Sequence, residues 1–192
     1  MAEGVATPAT RSTALPADSE LLTHLESGVA TIFASMIGDC ARLARIEGGA
    51  PPEPAEARGD SALQPGSTGE APQRSGREAV VEFRGALDGR VALRAGGGCA
   101  TAIARGLLMA PEGEPLAPEE IDDALKECAN MITGWLKSQA LDPIGEFTIS
   151  VPFLERSGRA ALGPPAGSLV YRTGGGEFCV ELWRRTPSAQ AA

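Results

Sequence analysis

The sequence predicts an α+β sandwich, an antiparallel sheet with its helices packed on one face. Three observations carry that prediction. Two hairpin signatures stand at 79–95 and 168–183. Apolar residues recur at helical spacing over 18–46 and 118–141. Helical segments also follow one another between the hairpins, instead of alternating with single strands as parallel sheets require.

Residues 1–17 are small, polar and proline-containing, and read as a disordered tail. Leu21, Leu25, Ile32, Met36, Cys40 and Leu43 then mark a helix from 18 to about 46, its N-cap supplied by Asp18 or Ser19. Gly48, Gly49, Pro51 and Pro52 end it, so 18–47 form the N-terminal helix of the domain. The stretch 48–78 holds five prolines, six glycines and no aromatic residue. Such a composition buries too little apolar surface to offset its ordering entropy, so 48–77 are expected to be a flexible linker or surface insertion.

AVVEFR (79–84), a turn signalled by Asp88-Gly89, and RVALRA (90–95) form the first hairpin. CATAIARGLLM (99–109) reads as a small-residue helix, and 111–118 as a loop. The next helix starts at Pro118, which suits a first turn, with Glu119, Glu120, Asp122 and Asp123 at its positive dipole end. It runs to about Leu141, before Asp142-Pro143. EFTISVP (146–152) alternates Phe147, Ile149 and Val151 on one face. SLVYRT (168–173) and EFCVELW (177–183) make the second hairpin, tipped by Gly174–Gly176, and 185–192 form a loose tail. The core domain is thus expected over 78–184, in the order helix, linker, two strands, two helices, three strands.

The bulk numbers exclude several functions. Net charge is −8 with a sequence pI of about 4.8, which disfavours phosphate backbones and anionic lipid, so no nucleic-acid or membrane partner is expected. No apolar run reaches the roughly 20 residues of a membrane span, and the N-terminus lacks the apolar region of a secretory signal. Cys40, Cys99, Cys128 and Cys179 form no CxxC and read as small buried hydrophobes, which suits a reducing cytoplasm. The one histidine, His24, is expected at a surface or boundary position and not in a catalytic triad or zinc site.

The long helix at 118–141 carries the informative pattern. Ile121, Leu125, Cys128, Ile132 and Trp135 share one face, bordered by Leu136, and should pack on the sheet. Glu120, Asp123, Glu127, Asn130, Gly134 and Lys137 lie opposite. Glu127 and Asn130 are therefore outward neighbours. Gly134, one turn on, leaves a low patch, and Met131 offers an adaptable apolar contact at the stripe's edge. Gly costs about 1 kcal/mol against Ala in a helix interior, and Asn somewhat less. An exposed face gains no core packing in return, and function is the usual reason to accept such a penalty. A solvated face that merely tolerates a glycine is the plainer reading of the same stripe.

Glu127-Cys128-Ala129-Asn130, followed by Met131, Ile132 and Gly134, resembles the E-x-x-N helix of the CheC/CheX chemotaxis phosphatases. GALDGRVALRAGGGCATAIARGLLM and ISVPFLERSG resemble the family's hairpin, small-residue helix and following strand. A single E-x-x-N in this setting is nearer to CheX than to CheC. Two positions differ: Lys126 precedes Glu127 where the family often has a small residue, and Cys128 stands where Leu is common.

The resemblance implies hydrolysis of the aspartyl phosphate of a response regulator such as CheY. Asn130 would orient the attacking water, and Glu127 would pair with the lysine beside the regulator's phosphoryl group. Asp123, Met131 and Gly134 would shape the docking surface. The chain itself would need no cofactor, because the Mg²⁺ belongs to the regulator's acidic pocket. A homodimer through a sheet edge is also implied. A non-catalytic adaptor that binds a receiver domain would share these features. A third reading takes GGGCATAIA (96–104) as a nucleotide-phosphate loop, though it lacks the lysine of a P-loop and the third glycine of a dinucleotide fingerprint.

Overall fold

The computed structural model describes residues 15–37, 44–45, 76–155 and 164–185. The expectations for the far N-terminus, for most of 48–77, for Cys40 and Gly158 and for the C-terminal tail fall outside these residues.

The described elements run α1 (Asp18–Ile32), β1 (Ala44–Arg45), β2 (Arg77–Arg84), β3 (Asp88–Ala95), α2 (Gly97–Leu108), α3 (Pro118–Leu136), β4 (Thr148–Ile149), β5 (Phe153–Leu154), β6 (Gly167–Thr173) and β7 (Gly176–Arg185). π-helical turns extend α1 over Phe33–Ile37 and α3 over Lys137–Leu141. The strands form one sheet in the order β1-β6-β7-β3-β2-β4, with β5 also paired to β2. Every pairing is antiparallel.

Strand alternation builds the core. Val81 and Phe83, Val91 and Leu93, Leu169 and Tyr171, and Phe178, Val180 and Leu182 turn to one face. There they meet Leu21, Leu25 and Val29 of α1, Ile103 of α2, and Leu125, Cys128 and Ile132 of α3 in a single cluster. Each such large side chain contributes about 1.5–3 kcal/mol by leaving water. The other phase of the same strands carries a charge network. Arg94 reaches Glu181 at 2.8 Å and Glu78 at 3.4 Å. Arg90 reaches Glu155 at 3.2 Å and stacks over the Trp183 ring. Burial pushes the Glu78 carboxyl up from its ordinary value, against the opposing pull of Arg94 and Arg90.

The elements repeat an order invisible in the residues. α1, β1, β2, β3 is answered by α3, β4/β5, β6, β7. The edge strands are exchanged: β1 pairs with β6 of the second unit, and β4 and β5 pair with β2 of the first. The central contact is β3 against β7, from Asp88↔Arg185 to Ala95↔Phe178.

Four local expectations are corrected. The first helix does not continue to 46, since Ala44 and Arg45 pair with Arg172 and Tyr171 at the sheet edge. Hydrogen bonding to a neighbouring strand outweighs the helical spacing there. Asp88 and Gly89 belong to β3, and the turn is Gly85–Leu87, closed by the Gly85 N–H donating to Asp88 Oδ1 at 3.1 Å. The 146–152 strand is broken into β4 and β5, so Val151 is 83% exposed while Phe147 is buried. Trp135 is only half-buried, because it packs against α1 instead of the sheet.

Candidate functional site

The site is built on α3, whose first turn is anchored twice. Pro118 occupies its first position, and the Glu120 carboxylate accepts the Ala117 N–H at 2.7 Å. Arg77 Nε, at the start of β2, donates to Asp122 Oδ1 at 2.6 Å and ties the helix to the sheet. This strut was not legible in the sequence: the pair is 45 residues apart, and Arg77 fell in the expected linker. The only signal was an arginine opening one element and acids opening another.

The buried face of α3 comprises Ile121, Ala124, Leu125, Cys128, Ala129, Ile132, Thr133 and Leu136. Cys128, next to Glu127 in sequence, has its thiol pushed up to about 12, first by burial and then by the Glu127 charge. It packs as a neutral hydrophobe. Cys99 and Cys179 are likewise buried free thiols.

With that face fixed, Glu127 points into solvent and Asn130 is half-exposed. Neither side chain hydrogen-bonds or pairs with another described residue. A Cβ built on Gly134 meets no atom within 4 Å, so the surface beside Asn130 is open. Met131 is half-buried and packs against the core edge. Asp123 is exposed and paired with Lys126, Oδ1 to Nζ 2.6 Å. The structure therefore sets Glu127, Asn130, Met131 and Gly134 along one accessible side of α3, with Asp123 one turn before Glu127.

A neighbouring glycine does the opposite job. A Cβ on Gly28 of α1 would lie 2.8 Å from Trp135 Cδ1. The glycine lets the indole of α3 pack down on α1, which holds the two helices together. His24 is half-buried on α1.

The glycine run at 96–98 has a packing explanation. A Cβ on Gly98 would sit 2.7 Å from the Gly175 carbonyl oxygen, and one on Gly175 would sit 2.5 Å from the Gly98 carbonyl oxygen. The start of α2 and the β6–β7 tip thus touch backbone to backbone. Arg105, the cation lining the groove beside them, donates to the carbonyls of Pro111 and Glu114. No described residue among those lining the groove is left as a phosphate-binding cation.

The chain thus sets an outward acid–amide pair on the longest helix among the described residues, over an antiparallel sheet with its helices on one face. Residues 78–167 match the family model described as Chemotaxis phosphatase CheX. Glu127 and Asn130 lie inside that range. No curated protein sequence matches the chain. Among solved structures, CheX from Vibrio vulnificus is 19% identical, with TM-score 0.59, covering 88% of this chain and 99% of that one. CheX from Desulfovibrio desulfuricans is 18% identical, with TM-score 0.57, covering 86% and 99%. The CheX–CheY–BeF₃–Mg²⁺ complex from Borrelia burgdorferi matches at 14% identity and TM-score 0.58, covering 87% and 99%. At these identities the likeness establishes the fold.

Proposed function

We propose that this chain hydrolyses the aspartyl phosphate of a CheY-like receiver domain. One observation carries the reading: Glu127 and Asn130 project side by side from α3 without a partner among the described residues, beside the open surface at Gly134. A similar fold has been crystallised in complex with CheY.

An acyl phosphate is already activated, so the enzyme's work is positioning. The Asn130 amide both donates and accepts hydrogen bonds and is neutral at every relevant pH, which suits it to hold a water in line with phosphorus. The water oxygen bonds to phosphorus as the bond to the aspartyl oxygen breaks, leaving a carboxylate and inorganic phosphate. Glu127 pairs with the receiver's lysine. Without that cation its carboxylate would be repelled by the phosphoryl group. The Mg²⁺ that activates such acyl phosphates would be held by the receiver's acidic pocket and not by this chain.

The test is phosphate release from a phosphorylated receiver, read beside binding to the same receiver by calorimetry. Asn130→Ala should bind as the wild type does, yet lose at least about a hundredfold in kcat, the usual cost of removing one positioned hydrogen-bonding group. Wild-type binding without phosphate release would favour the adaptor reading. Undiminished release by Asn130→Ala would remove the amide from the mechanism.

A further inference from the structure

Three of the four acidic residues that open α3 are committed one by one. Glu120 accepts the Ala117 N–H, Asp122 holds Arg77, and Asp123 holds Lys126. Their charge is not a single patch waiting for a partner. Lys126 in turn sits immediately before Glu127 and four residues before Asn130. Residues four apart on a helix are surface neighbours, so the Lys126 ammonium is within reach of the Asn130 amide as well as of Asp123. The 2.6 Å ion pair draws it toward the N-terminal end of the helix, away from the amide.

We propose that Asp123 is a positioning residue of the phosphatase site, acting as a tether that keeps Lys126 off Asn130. The inference rests on the reading of Asn130 as the water-orienting group. Once untethered, the ammonium donates to the Asn130 side-chain oxygen. An amide engaged in this way is unavailable to the water. Helix pairs of this kind are weak, so tether and amide each hold the ammonium for part of the time only, and on losing the tether the active fraction falls by about 1.5- to 2-fold.

Two variants test this. Asp123 is 74% exposed at its side chain, so Asp123→Asn should leave the fold intact, which circular dichroism verifies. Asp123→Asn should lower kcat about 1.5- to 2-fold with a smaller change in KM. Adding Lys126→Gln should restore kcat, because the competing ammonium is gone. A merely structural or docking role for Asp123 predicts no rescue. An active wild type with Asp123→Asn unchanged, or a double variant as slow as Asp123→Asn, overturns the tether alone. An inactive wild type overturns the phosphatase reading and the tether together.

Discussion

Replacing Gly134 with alanine should make the protein more stable and less active. Gly134 lies inside α3, and the added Cβ meets no atom within 4 Å. Folding therefore feels only the helix propensity, a gain of about 1 kcal/mol. For a chain of this size that raises Tm by about 2–4 °C. The same methyl stands on the proposed docking side, one turn beyond Asn130. A partner backbone lying against Gly134 must make room for it, and overpacking costs about 1–3 kcal/mol. That is about a 5- to 150-fold loss in kcat/KM. Thermal melts and phosphate release on one preparation read both effects. A higher Tm with unchanged kcat/KM would refute the placement of Gly134 in the interface. Gly28→Ala is the control of opposite sign. Its Cβ would press on the Trp135 ring at 2.8 Å, so it should destabilise the α1–α3 contact by about 1–3 kcal/mol, and a rise in Tm would contradict that packing.

Two further outcomes follow from burial. The Cys128 and Cys179 thiols are raised from 9.0 to about 12 and about 11, chiefly by desolvation. Unfolded thiols ionise first as pH rises, so stability is full below pH 9 and falls through 11–12, by about 1.4 kcal/mol per pH unit for each thiol. Urea midpoints at pH 8 and 10 measure this, and Cys128→Ala should flatten the slope; equal midpoints would rule it out. Glu181, 1% exposed, faces Arg94 at 2.8 Å. Glu181→Ala should cost about 1.5–3 kcal/mol in urea unfolding, because the buried Arg94 guanidinium loses its nearer counter-charge and keeps only Glu78 at 3.4 Å. A loss below about 1 kcal/mol would mean the pair is replaceable.

Much of the site was legible because a helix has one period. Once Ile121, Leu125, Cys128 and Ile132 are read as the buried stripe, Glu127 and Asn130 must point away from it, and the structure agrees. Trp135 escaped that logic. Its stripe position says only that it faces protein; whether the neighbour is sheet or helix depends on Gly28, more than a hundred residues earlier. The Gly98–Gly175 contact was hidden for the same reason. A glycine-rich strand-to-helix turn looks alike whether it cradles a phosphate or another backbone. The roles of the acids opening α3 were equally hidden, since their partners include Arg77, on a strand.

From residue order and periodicity alone come the α+β class, the grouping of helices, both hairpins, and the outward acid–amide pair on the long helix. These are matters of local period and turn chemistry, which nearby residues decide. Tertiary structure alone decided the exchange of edge strands between the two units, the strut from Arg77 to Asp122 and the seating of Trp135 on Gly28. Each of these joins residues far apart in the chain, and pairing energy between distant segments leaves no period in the sequence that a local reading can detect.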